Sequence, residues 1–170
     1  GLSSMQIDDA GRGFSFMNDG PLDMRMGKNK NTAKEFIDKA REEEIANVIM
    51  EYGEERRYRS IAKTIYQNRL SINSTKDLSD VIKRGLKGPE KFKIKTVARV
   101  FQSIRIHINS ELDEISKALE DFYSILKDSG VLIVVSFHSL EDRIVKFFIK
   151  EKSDLHPIFK KVKRPTQKEI

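Results

Sequence analysis

The segment Val131–Phe137, VLIVVSF, constrains the fold of this chain more than any other. Its first five residues are apolar and four of them are β-branched. Such side chains favour extended backbone, and an apolar run without alternation marks a strand covered on both faces, as in a parallel sheet. Asp128-Ser129-Gly130 breaks the chain just before it. Just after it, HSLEDR leads into IVKFFIKE, a helical pattern with Ser139 as the expected N-cap and Asp142 three residues on. Helix, buried strand, polar turn and helix make half of a doubly wound α/β unit. A parallel strand needs neighbours, and no other segment offers a run of that quality. The expectation is therefore a fragment, entered midway at Gly1, with the rest of the sheet upstream.

The preceding sequence is helical. Thr32 and Glu35 form a capping-box pattern ahead of Ala33, Phe36, Ile37 and Ala40 at helical spacing. A second helix is expected over Glu43–Tyr52, stopping at Gly53, and a third over Glu54–Leu70. A fourth, Lys76–Arg84, is capped by Ser74 or Thr75. From Thr96 to Lys127, apolar residues step by 3 or 4 from Val97 to Leu126, predicting one long helix or a bent pair. The opposite face holds Arg99, Gln102, Arg105 and Asn109.

The run Gly11–Met26, GRGFSFMNDGPLDMRM, fits neither periodicity. Three glycines and Pro21 exclude a helix, and its Phe, Leu and Met content is too high for a disordered linker. An ordered loop whose shape carries function remains. Phe14 and Phe16 suit stacking on a base, with Arg12 and Arg25 near phosphates, or else they anchor the loop in the core. Phe137-His138-Ser139 falls where a strand would end, the usual ligand crevice of an open α/β sheet. His138 has the pKa range for acid–base work, while Ser139 has the alternative role of a plain helix cap. The face of Arg99, Gln102, Arg105 and Asn109 is either an RNA-facing surface or an ordinary polar one.

The 170 residues carry 32 basic and 26 acidic side chains, a formal charge of +6 that mildly favours an anionic partner, nucleic acid before membrane. No cysteine is present, which excludes disulfides and thiolate metal sites and suits a cytoplasmic protein. His107, His138 and His156 are too scattered in sequence for a metal motif, and no apolar run approaches a membrane span.

GRGFSFMNDGPLDMRM together with SFHSLEDRIVKFF closely resembles the bacterial 16S ribosomal RNA cytosine-N4 methyltransferase family, which uses S-adenosylmethionine. GEER at Gly53–Arg56 and RVFQSIRIHINSEL at Arg99–Leu112 are similar to the same family's intermediate motifs, in the same order. The resemblance implies a partial Rossmann-like class I methyltransferase fold with an inserted small all-helical domain. Residues 1–27 would be the loop after the fourth strand, 28–95 the helical insert, 96–151 the return to the methyltransferase domain, and 152–170 the start of a closing segment. The glycine-rich cofactor loop and the ribose-binding acid would lie upstream of Gly1.

The resemblance further implies Gln6 as a cofactor contact, Ser3 and Ser4 beside the methyl acceptor, and His138 in the catalytic wall with Phe137 and Ser139. Arg12, Phe14, Phe16, Asp19, Asp23, Arg25, Arg99, Gln102, Arg105 and Asn109 would form or shape the RNA pocket. The implied partner would be 16S rRNA in the small ribosomal subunit, the chemistry needs no metal, and a homodimer is left open. Lys95-Thr96-Val97-Ala98-Arg99-Val100 departs from the family's His/Asp-Pro-Ala-Thr-Arg-Thr run, and Gly27, Arg57 and Ser60 also depart. The competing expectation is a non-catalytic RNA-binding or inert remnant. A helical protein–protein adaptor would leave the two outer motifs unexplained.

Overall fold

The computed structural model describes residues 4–27, 31–159 and 163. Eight α-helices follow in order among them: α1 (Ser4–Asp8), α2 (Ala33–Lys39), α3 (Glu42–Gly53), α4 (Tyr58–Asn68), α5 (Thr75–Arg84), α6 (Glu90–Asn109), α7 (Glu111–Ile125) and α8 (Ser139–Glu151). The α/β, partial Rossmann-like expectation is overturned. Among the described residues there is no sheet, only an isolated antiparallel bridge between Pro21 and Ser74. Val131–Phe137 joins no strand, and Ile133, Val135 and Phe137 are 81%, 75% and 76% exposed. The reason is physical: β-branched composition supplies a preference for extended backbone, but a strand exists only through hydrogen bonds to another strand. No other described segment supplies those bonds.

The chain divides into two compact units, Gly1–Glu111 and Leu112–Ile170. In the first, α2 through α6 enclose one apolar core that includes Ile37, Ile49, Ile65, Leu78, Ile82 and Ile104, each almost wholly buried. Each such side chain contributes about 1.5–3 kcal/mol through removal from water. The helices start where local chemistry provides for their orphan amides. Thr32 Oγ1 accepts from the Glu35 amide (3.1 Å) while Glu35 accepts from the Thr32 amide (2.8 Å), the expected capping box. Ser74, not Thr75, caps α5, with Asp77 as reciprocal partner.

Gly53 was expected to stop α3, yet the helix includes it and ends on Glu54 at φ 48°. The glycine serves packing instead: a Cβ there would lie 3.1 Å from the Arg99 carbonyl oxygen of α6. The long pattern from Thr96 resolves into a pair, α6 and α7, parted at Ser110 with φ 51°.

In the second unit, α7, an irregular segment and α8 follow one another. The Tyr123 hydroxyl donates to Asp154 (2.8 Å), and Lys152 pairs with Glu120 (2.8 Å) while its ammonium lies over the Tyr123 and Phe148 rings. Ser139 is the first residue of α8 and not its N-cap. The cap is His138, whose backbone is extended (φ −144°, ψ 165°). No helix of the described residues is long and apolar enough to cross a membrane.

Candidate nucleic-acid interface

The opening segment folds back on the first unit and is stitched to three helices. Gly13 adopts φ 69°, and a Cβ there would fall 2.0 Å from the Pro21 carbonyl oxygen, so only glycine lets the two arms of the loop meet. Met24 donates its amide to the Arg12 carbonyl (3.0 Å) and is wholly buried. Toward α2, the Ala33 and Lys34 amides donate to the Asp23 and Leu22 carbonyls at 2.8 and 2.9 Å. Toward α5, the Thr75 hydroxyl donates to Asn18 and accepts from the Gly20 amide, and the Lys76 amide donates to Asp19 (3.2 Å). Toward α6, Asn109 accepts from the Met26 amide (2.7 Å) and donates to the Met24 carbonyl (2.8 Å).

These contacts show where each candidate residue stands. Phe14 is 7% exposed and belongs to the core, with the Arg12 guanidinium 5.0 Å from its ring centre. Phe16 is partly buried and meets the α6 residue Phe101 edge-on, with ring centres 5.4 Å apart. Asp23 and Arg25 form a two-pronged ion pair (2.7 and 2.8 Å), and the hydrogen bonds from Arg25 hold the Asp23 carboxyl below its ordinary range. Arg12 donates to the Arg25 carbonyl, joining both arms of the loop. Asp19 is exposed, and hydrogen bonds from the Ser74 hydroxyl and then the Lys76 amide lower its pKa.

The α6 face divides in role. Asn109 is buried as the loop clamp, and Arg105 is spent on a two-pronged bond to buried Glu111 (2.7 and 3.0 Å). Gln102 is half-buried, and Arg99 is the exposed member. Arg99 donates to Glu55 (3.2 Å), a carboxylate only 4% exposed in the turn between α3 and α4. Glu55 also accepts from the Arg57 amide (3.1 Å) and the Thr96 hydroxyl (3.2 Å). Burial acts to raise its pKa, but these donors outweigh burial and the net shift is downward. Sequence reasoning missed this node. Its signals were an acid in the turn after Gly53 and a threonine inside the apolar stripe of α6.

Ser3 lies outside the described residues. Ser4 opens α1, and Gln6 on the same short helix is half-buried. Phe137, His138 and Ser139 lie in the second unit. There His138 Nδ1 accepts from the Glu141 amide (3.4 Å), and Glu141 accepts from the Phe137 amide (2.7 Å). The His138 Nε2 is 3.5 Å from the second Glu141 oxygen. The structure therefore gives His138 a capping role at the start of α8.

Two clefts mark the surface of the first unit. One, of about 680 Å³, includes Ser71, Asp80 and Lys93, and the other, of about 660 Å³, includes Phe36, Tyr52 and His107. Neither includes Gln6. Burial lowers the His107 pKa, against the opposing pull of Glu51 and Glu44.

Comparison with known proteins identifies the lineage. The chain is 52% identical over 156 residues to the "Ribosomal RNA small subunit methyltransferase H" of Rickettsia prowazekii, covering 91% of this chain and 51% of that protein. It is 52% identical over 155 residues to the protein so named from Rickettsia typhi, and 50% over 156 residues to that of Rickettsia conorii. The chain spans about half the length of the curated relatives it matches. Residues 1–169 match the MraW methylase family. With that match running nearly end to end, and half the aligned positions shared with its relatives, the chain belongs to the MraW methylase family.

Proposed function

We propose that this chain is part of a methyltransferase that moves a methyl group from S-adenosylmethionine to the exocyclic N4 amine of a cytosine in 16S rRNA. The carrying observation is the match of residues 1–169 to a methylase family, together with the rRNA methyltransferase names of relatives 50–52% identical. The described residues do not by themselves fit the cofactor. Gln6 is the one cofactor-directed residue among them, it sits half-buried on a five-residue helix, and neither cleft includes it.

The contribution of this chain is to hold RNA. A base can be modified at its exocyclic amine only after leaving its stack, and an aromatic ring then receives it. Phe16 is the ring suited to that contact, because Phe14 is already spent in the core. The Asp23–Arg25 pair and the Asn109 clamp fix the loop that presents Phe16. Arg12 and Arg99 offer cationic donors for neighbouring phosphates. Phe137, His138 and Ser139, around the start of α8, are the candidate contacts of the second unit taken by itself.

The test is transfer of labelled methyl from S-adenosylmethionine to small-subunit rRNA by the protein containing this chain, with the modified nucleoside identified by mass spectrometry. N4-methylated cytidine is the expected product. RNA binding without any methyl transfer would replace this reading with the non-catalytic one.

A further inference from the structure

A buried carboxylate normally needs one strong cation or a set of neutral donors, and Glu55 has more than it needs. Its two oxygens already accept from the Arg57 amide, the Thr96 hydroxyl and the Arg99 guanidinium. A second guanidinium is nevertheless present. Arg57 Nε stands 3.7 Å from Glu55, and Arg57 Nη2 donates to the Thr96 hydroxyl at 3.2 Å. The node therefore holds two permanent positive charges against one negative charge. The negative charge is interior, while the Arg57 and Arg99 side chains are 45% and 53% exposed. Internal neutralisation explains one arginine but not both.

We propose that Arg57 and Arg99 form a two-pronged phosphate-binding fork for the RNA backbone, with Glu55 as its positioning residue. The inference rests on RNA being the substrate class. Guanidinium groups match phosphate oxygens with paired donors. Each arginine here commits one edge to the node and keeps its remaining N–H groups for a ligand. Arg57 projects from the turn before α4 and Arg99 from α6, so one carboxylate sets the spacing of donors from two elements. Glu55 touches no ligand in this scheme and acts through the arginines.

The sign of one substitution separates positioning from simple charge. Glu55→Gln removes a negative charge, so on net charge alone RNA binding would strengthen. If Glu55 aligns the fork, binding weakens instead, by at least about threefold. The assay is equilibrium binding of a short single-stranded oligoribonucleotide to the 170-residue chain across a salt series, with circular dichroism confirming the fold of each variant. Arg57→Ala and Arg99→Ala change half-exposed side chains, so they keep the test open if Glu55→Gln fails to fold. Each is expected to weaken binding about tenfold at low salt and to reduce the slope of log K against log salt by about 0.7. Arg99→Lys, which keeps the charge but loses the fork geometry, should bind nearly as poorly as Arg99→Ala. Failure of the chain to bind RNA, unchanged salt slopes in both alanine variants, or tighter binding by folded Glu55→Gln would each overturn the fork. Variant-sensitive RNA binding without methyl transfer would sink the methylation reading and leave the fork standing.

Discussion

Asn109 is the residue on which the placement of the opening loop turns, and its removal has a calculable cost. Its side chain is 4% exposed, accepts from the Met26 amide at 2.7 Å and donates to the Met24 carbonyl at 2.8 Å. A third bond goes to the Arg105 carbonyl, an acceptor within α6, so its loss strands no group. Asn109→Ala would leave one backbone donor and one acceptor without these partners. Each group stranded away from water costs roughly 1–3 kcal/mol, and water reaching the exposed Met26 side reduces that half of the loss. The expected destabilisation is about 2–4 kcal/mol, read as a lower midpoint in urea unfolding with unchanged slope. Native-state hydrogen exchange should show the loss concentrated at the Met26 amide, while the Met24 amide keeps its bond to the Arg12 carbonyl. Asn109→Asp should be no better, because a carboxylate keeps the acceptor but faces the Met24 carbonyl without a donor. A loss below about 0.5 kcal/mol, within the range of ordinary surface changes, would refute the clamp.

Gly13→Ala should destabilise the chain by about 2 kcal/mol or more, since it adds left-handed strain to a Cβ placed 2.0 Å from Pro21 O; a thermal melt matching wild type would contradict this. Acid should act in two stages. The lowered pKa of His107 favours its neutral form in the fold, so its contribution is intact above the unfolded value of about 6.5 and is lost as pH falls through the folded one. The lowered pKa values of Asp23 and Glu55 contribute stability above about pH 4.5 that disappears below it. His107→Phe should flatten the urea midpoint between pH 7 and 5 while keeping the lower step, and an unchanged profile would remove His107 from the account. Ile133→Lys, at a side chain 81% exposed, should leave the melting temperature within about 2 °C of wild type and reduce association seen by light scattering. A large drop in melting temperature would mean that Ile133 is covered.

What could be read from the sequence was whatever depends on near neighbours. The capping box at Thr32 and the apolar stripe of α6 follow from spacing of 3 and 4, and they stand where that spacing put them. Val131–Phe137 failed because a strand is a relation between segments, and its side chains carry no record of a partner. The α8 cap was misassigned by one residue for a related reason. Serine outranks histidine as an N-cap by preference, but the extended backbone at His138 decides, and its Nδ1 is an adequate acceptor. The face of Arg99, Gln102, Arg105 and Asn109 was visible as a row, but periodicity does not reveal what lies above a helix. The loop covers Asn109, while Arg99 stays exposed. Glu55 was hidden because a single acid in a turn looks solvated until the packing buries it.

In the proposed function, the first unit would carry the RNA-facing surface, built from the opening loop, the Glu55 turn and the exposed edge of α6. The most direct test is photo-crosslinking of a 4-thiouridine-bearing rRNA oligonucleotide to the folded chain, with crosslinked peptides mapped by mass spectrometry. The account predicts crosslinks around Phe16 and along the Arg57 and Arg99 segments, diminished in Arg57→Ala and Arg99→Ala. Crosslinks confined to residues 112–170, or spread evenly over the lysines of the surface, would contradict it.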